Sequence, residues 1–303
     1  MESKWTAGGI YRRITEQIAA AIAAGAPRFE MPWHSTAGFL GLPSNAISGH
    51  VYRGINVVSL WVSAQIRGFG TDHWATYKQW QEAGARVRPG EKGSMIVFYK
   101  ELKGEEEDVE NRDPKDHRLV IRASWVFNAD QVENWIEPPL PAADPVESLE
   151  QVEVFVAATG AEIHEGGNIA CYHAHADYIA IPSRSQFVGT STSSPTEAYY
   201  ATLLHELTHW TGHPIRLNRS FSQRYGDEAY AVEELVAELG AAFLCAALGV
   251  TNVARPDHAA YVQSWLRVLG NDARAIFSAA SKAVAAVDHL YKLAQPSPER
   301  ARP

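Results

Sequence analysis

The stretch Leu203-Leu204-His205-Glu206-Leu207-Thr208-His209-Trp210 constrains this chain more than any other. His205 and His209 are four residues apart, so on a helix both imidazoles leave one face, a turn apart. Two neutral imidazoles at that separation can share one tetrahedral Zn²⁺, and Glu206, beside the first, can reach a water on the ion. Leu203, Leu204, Leu207 and Trp210 make the flanks apolar, so the helix has to be buried and the fold built around it. Gly212 follows as a left-handed helix stop. With 12 His in 303 residues, HExxH spacing arises by chance roughly 0.04 times per chain. The competing reading, a solvated surface helix, predicts polar neighbours. The leucines argue against it.

A catalytic zinc site needs a third protein ligand and one open position. A His six residues after the second His would serve; Gly212 has the right spacing for that pattern, but position 215 is Ile215. His213 lies one residue past the helix stop and is a weak substitute. The other option is a Glu on a second helix. Asp227 to Cys245 reads as one, with Glu234 and Glu238 sharing a small-residue face with Ala241 and Cys245. Carboxylates on such a face must be paired or bound to metal. Glu234 is therefore expected as the ligand and Glu238 as the acceptor for a ligating imidazole N–H, with Glu233 the alternative to Glu234. His173, His175, His213, Tyr225 and Tyr230 are the candidates for stabilising an oxyanion.

A length of 303 residues favours two domains, and 46% hydrophobic with 20% charged residues describes a chain able to bury real cores. Cys171 and Cys245 form no CxxC pair, so buried thiols in a reducing compartment are expected and a disulfide framework is excluded. The first apolar patch, Ile18 to Ala24, is short and amphipathic, unlike a signal peptide. The longest run free of charged residues and histidine, Leu239 to Ala254, falls short of a membrane span. A cytoplasmic location and no membrane partner are expected. Net charge is −8, unevenly placed: residues 1–104 hold 12 Lys/Arg against 7 Asp/Glu, and the rest hold 15 against 28. A basic front on an acidic chain suggests a localised polyanion site.

Along the chain, residues 8–24 read as an amphipathic helix, Val57 to Arg67 as a second closed by Gly68 and Gly70, and Thr76 to Ala83 as a third. The turn Arg86 to Gly93 feeds a strand, Ser94 to Lys100, whose antiparallel partner is Leu119 to Asn128. Glu105 to Asp116 is an acidic loop. Four prolines between Pro138 and Pro145 mark a boundary. Beyond it come a helix at Ser148 to Thr159, strands at Ala161 to Glu165 and Ala170 to Ile181, and the metal helix at Thr196 to Thr211. Asp227 to Leu248 carries the third ligand, and helices fill His258 to Leu293.

Residues 33–100 interleave planar and cationic groups, the mixture single-strand binders need: rings stack on unpaired bases and Lys/Arg follow the phosphates. Trp61, in an apolar helix, is expected in the core; Trp33 and Trp80 are evenly balanced between core and contact. Trp74, Tyr77, Lys78 and the turn with Arg86, Arg88 and Lys92 are expected to touch nucleic acid, joined by Arg53 and Asn56.

With both halves read, a resemblance is visible. Tyr11 to Ile18, Pro32-Trp33, Pro43-Ser44-Asn45, Tyr52-Arg53-Gly54-Ile55-Asn56, Trp74-Ala75-Thr76-Tyr77-Lys78-Gln79-Trp80, Gly84 to Gly93 and Val126-Phe127-Asn128 resemble the N-terminal domain of ArdC-type antirestriction proteins. His205 to His213, Arg216-Leu217 and the Glu233 to Cys245 helix resemble the zincin-like metallopeptidase domain of the same family. The fold so implied is α+β in two domains: an N-terminal α+β domain binding single-stranded DNA (1–137), a Pro-rich linker (138–147) and a C-terminal zincin-like, gluzincin-type metallopeptidase domain (148–303). The resemblance implies a plasmid-borne protein that binds single-stranded DNA without sequence preference and protects incoming DNA from host restriction, as in conjugation. It places metal ligands on His205 and His209, with one Zn²⁺ per chain. Two further readings stand beside it. One is a non-catalytic DNA-coating protein with a structural metal; the other is a peptidase that cleaves a regulatory protein. A host restriction or regulatory protein is then the target.

Overall fold

The structure, a computed structural model, describes residues 6–25, 31, 41–102, 118–136, 145–188, 194–219, 228–250 and 258–295. The isoleucines at four-residue spacing predict an amphipathic helix, and α1 (Ala7–Gly25) buries Ile10, Ile14, Ile18 and Ile22 along one stripe. After β1 (Ser44–Asn45), α2 (Ile55–Arg67) ends on Gly68, whose φ of 68° only glycine adopts without strain. Next come β2 (His73–Thr76) and α3 (Tyr77–Glu82), joined by a capping box between Thr76 and Gln79. β3 (Arg86–Val87), β4 (Ser94–Leu102), β5 (Arg118–Asn128) and β6 (Val132–Glu133) complete the front half. The main sheet runs β1-β2-β5-β4, and β4 and β5 pair antiparallel from Ser94 opposite Val126 to Leu102 opposite Arg118.

β4 is the edge of that sheet, and α2 covers it. Asn56 mimics a neighbouring strand: its Nδ2 donates to Val97 O at 2.7 Å, and Val97 N donates to its Oδ1 at 2.8 Å. Ser59 Oγ extends the pairing to Met95 O at 2.9 Å. An uncovered edge is a template for aggregation, so these two polar residues of a helix protect the sheet.

The back half contains α4 (Pro145–Thr159), then β7 (Glu162–Glu165), β8 (Cys171–His173) and β9 (Tyr178–Ile181) in the order β7-β9-β8. The helices α5 (Pro195–Trp210), α6 (Glu228–Leu248), α7 (His258–Asn271) and α8 (Ala275–Ala294) follow. One apolar cluster draws on both halves: Ile14, Ile18, Val58 and Met95 lie in it with Leu239, Phe243, Trp265, Ile276 and Ala279. A second lies under α5, formed by Val152, Ile179, Leu204, Leu207, Leu244 and Leu290. No helix among the described residues is long and apolar enough to cross a membrane.

Three expectations change. Ala170 to Ile181 is two strands around a turn in which Asp177 takes φ 55°. α4 starts at Pro145, inside the stretch read as linker, because proline suits the first turn of a helix; the rest of that stretch, 138–144, and the Glu105 to Asp116 loop lie outside the described residues. α5 does not end on a left-handed Gly212. Its last carbonyls are taken instead by arginines: Arg216 Nε donates to Trp210 O and Arg219 Nη2 to Thr208 O, each at 2.7 Å.

Candidate metal centre

α5 is set by Ser194, whose side chain accepts from Glu197 N while Glu197 reaches back to Ser194 N. Its partner is α6, and the two helices touch where α6 has no side chain. A Cβ on Gly240 would lie 2.5 Å from Thr208 Cγ2, so only glycine permits this approach. At that separation the carboxylates of α6 reach the imidazoles of α5.

His205, His209 and Glu234 each offer a ligand atom, all within 4.8 Å of one another. Glu234 Oε2 is 3.6 Å from His205 Nε2, and its Oε1 is 3.5 Å from His209 Nε2. The opposite ring nitrogens face other carboxylates. His205 Nδ1 is 3.0 Å from Glu238 Oε1, and His209 Nδ1 is 3.2 Å from Glu233 Oε1. Both Nε2 atoms are thereby left for an ion, and the two histidines, Glu206, Glu233, Glu234 and Glu238 are all buried. Two imidazole nitrogens and one carboxylate oxygen suit a divalent cation, and the carboxylates behind them fix the tautomers. The residues fit the group.

The adjacent pair Glu233-Glu234 is split in role. Glu233 lies on Nδ1 of His209 and is clamped by Arg219, whose Nη2 and Nε reach Oε1 at 2.8 Å and Oε2 at 3.0 Å. Burial pushes the Glu233 carboxyl up, but the hydrogen bonds from His209 and Arg219 outweigh it and hold the group below the usual carboxylate range. Glu234 is likewise held low: burial opposes ionisation, and the charges of His209 and His205 overcome it. Arg219 was not legible from the sequence as a site residue. Its only signal was membership of a basic loop beside the metal helix.

Tyr230, one turn before Glu234, has its hydroxyl 3.2 Å from that of Tyr261. Burial raises its pKa, the Tyr261 bond opposes the rise, and Glu234 and Glu206 add to it. Among the oxyanion candidates, the Tyr230 hydroxyl feels both site carboxylates. His173 stacks on Tyr178 and lies 3.3 Å from Cys171 Sγ, His213 Nδ1 accepts from Ile215 N, and Tyr225 lies outside the described residues. Cys171 is half-buried on β8, where burial and the Glu206 charge push its thiol up. The turn after β8 is tied to the end of α5: Arg216 grips both Asp177 oxygens and stacks on Trp210, 3.7 Å from the ring centroid.

Residues 9–127 match the N-terminal domain of anti-restriction factor ArdC, and residues 150–282 match a zincin-like metallopeptidase. The crystal structure of the antirestriction ArdC protein from the R388 plasmid, metal-free, aligns with a TM-score of 0.75 at 40% identity, covering 94% of this chain and 97% of that one. The chain belongs to the ArdC antirestriction family. The Mn(II)-bound structure of the R388 protein aligns at a TM-score of 0.71 and 39% identity, over the same shares of both chains. Protein y4eC of Sinorhizobium fredii (strain NBRC 101917 / NGR234) is 42% identical over 93% of this chain and 91% of its own length. Two Escherichia coli proteins named DNA primase TraC are 35% and 33% identical, and the chain spans only 27% and 20% of their length.

In the half that matches the ArdC N-terminal domain, several residues expected to touch DNA have partners within the fold. Trp74 is a correction: it is 1% exposed, packed among Leu60, Ala64 and Val126 with Phe69 edge-on at 5.7 Å, so no base can reach its ring. Asn56 is another, because its amide is spent on both polar groups of Val97. Arg53 forms an exposed ion pair with Asp288 of α8 at 2.5 Å. Arg88 is folded onto Glu91 at 2.9 Å and Asp130 O at 2.5 Å. Tyr77, Lys78, Arg86 and Lys92 are exposed, Lys78 within 3.5 Å of Glu82. Trp61 and Trp80 are core residues; Trp33 lies outside the described residues.

Proposed function

We propose that this chain is a cytoplasmic antirestriction protein that binds single-stranded DNA without sequence preference and protects incoming plasmid DNA, its back half acting as a zinc-dependent peptidase. The convergence of two Nε2 atoms and the Glu234 carboxylate beside a buried Glu206 carries this reading. His205, His209 and Glu234 would hold Zn²⁺, which such a donor set suits. Bound there, a divalent ion supplies Lewis acidity to a carbonyl and acidifies water. Glu206 is the general base: its carboxylate takes the proton from the attacking water and returns it to the leaving amine. Glu238 and Glu233 hold the rings in register, and Tyr230 offers an O–H to charge developing on the carbonyl oxygen. The partners are the DNA strand and a host restriction or regulatory protein as the cleaved target. Kinship with two proteins named DNA primase TraC supports the choice of DNA.

The test is conjugation into a restricting host. Glu206→Gln should retain the metal, lose cleavage of a general probe such as casein, and lose protection. Undiminished casein cleavage would remove Glu206 from the chemistry. Full protection without cleavage would favour the coating reading, in which the metal is structural and DNA binding alone suffices.

A further inference from the structure

Three separate stretches of the front half meet at one carboxamide, that of Gln79 in the first turn of α3. Its Oε1 accepts from Thr76 N and Thr76 Oγ1, each at 3.0 Å, and from Asn45 Nδ2 at 3.1 Å. Asn45 is itself fixed, because its Oδ1 accepts from Ile47 N at 3.1 Å and from Ser48 N at 2.9 Å. An amide whose oxygen takes three donors has one orientation, so Nε2 is the end of Gln79 that faces away from the network. That nitrogen is open to solvent and makes no hydrogen bond among the described residues.

Tyr52 brings a second donor. Its hydroxyl oxygen accepts from the same Asn45 Nδ2 at 3.4 Å, and its own proton has no acceptor among the described residues. Burial pushes the Tyr52 pKa up and the Asn45 bond opposes this only in part, so the hydroxyl keeps its proton. A capping box needs Thr76 and Gln79 alone. Asn45 and Tyr52, drawn from β1 and the segment before α2, add something else. They set an NH2 group and an O–H on either side of one nitrogen, both with protons to give. Lys78, exposed beside Gln79, places a cation on the same turn of helix. Donors without acceptors, on a half with 12 Lys/Arg against 7 Asp/Glu in residues 1–104, suit an anion that only accepts.

We propose that Gln79 Nε2 and the Tyr52 hydroxyl hold a backbone phosphate of the bound DNA strand, with Asn45 as the positioning residue between them. This rests on the reading that the protein binds single-stranded DNA. Phosphate is favoured over base because that binding is without sequence preference, and backbone contacts position a strand without reading it. Gln79→Glu tests the assignment while sparing the fold. A carboxylate keeps an oxygen for Thr76 and Asn45 and suits this place in a capping box, but the outward NH2 becomes an oxygen that repels phosphate. Full-length protein is titrated into fluorescein-labelled oligo(dT) of about 30 nucleotides, enough to span a single-strand site, and melted in parallel. Gln79→Glu should weaken binding roughly 10–100-fold, the range for one hydrogen bond to a charged group, at an unchanged thermal midpoint. Tyr52→Phe should weaken it about 10-fold. Gln81→Glu adds the same charge at an exposed position of α3 and should stay within about twofold. Full affinity in either of the first two variants, an equal loss from Gln81→Glu, or a loss seen only with a lowered midpoint overturns the assignment and leaves DNA binding intact. On an abasic strand of the same length the Gln79→Glu loss should recur; a loss confined to oligo(dT) overturns the phosphate in favour of a base. An unmodified protein that ignores oligo(dT) overturns the DNA reading and the phosphate contact together.

Discussion

The half read as a metal site and the half read as a DNA binder both rest on short motifs, yet the structure treats the two readings differently. In the back half, His205, Glu206, His209, Glu234 and Glu238 are buried together. In the front half, Trp74, Asn56, Arg53 and Arg88 are occupied by the fold. The helix explains the first outcome: a four-residue step fixes which side chains share a face before any tertiary contact forms. The strand explains the second. Alternation says that two sets of residues point to opposite faces, and not which set a helix will cover.

Substitutions at three positions probe that contrast. The largest effect is expected from Trp74→Ala, which should cost about 3–5 kcal/mol of stability in a denaturant melt, as a buried indole does. Trp74→Phe should leave oligo(dT) affinity unchanged; a tenfold loss would return Trp74 to the DNA surface and blur the distinction. Next is Glu233→Gln. It should weaken metal binding by roughly 10–100-fold in chelator competition, because the Arg219–Glu233–His209 chain loses its charge. Complete loss of metal would instead make Glu233 a ligand and reverse the split proposed for the pair. The smallest effect belongs to Arg53→Ala, at most about 1 kcal/mol by thermal melt, since its pair with Asp288 is exposed. A marked loss of DNA binding by that variant would show that the motif arginine is released to the strand.

Much of the scaffold was legible. Isoleucine spacing gave α1, Gly68 closed α2, and β4 and β5 pair as their apolar runs suggest. The residues carrying the resemblance in the front half prove largely architectural: Asn45 Nδ2 reaches Gln79 Oε1 at 3.1 Å, Asn56 caps the sheet edge, and Asn128 donates to Thr71 O at 2.8 Å. A motif can therefore be specific to a family without marking its ligand contacts. In the back half, Glu234 was favoured as the ligand, but the role of Glu233 behind His209 was hidden. Adjacent residues on a helix differ by about 100° in direction, and only the position of α5 decides which carboxylate faces which ring nitrogen. Arg216 and Arg219 were hidden too, since nothing local says that a basic loop will fold back over a helix end.

The apolar cluster that joins α1, α2 and β4 to α6, α7 and α8 has a consequence for how such a chain can be reused. Severed near residue 140, each fragment would expose apolar surface that the other covers in the whole chain. The two TraC primases accord with this: each contains a counterpart to more than nine-tenths of the present chain.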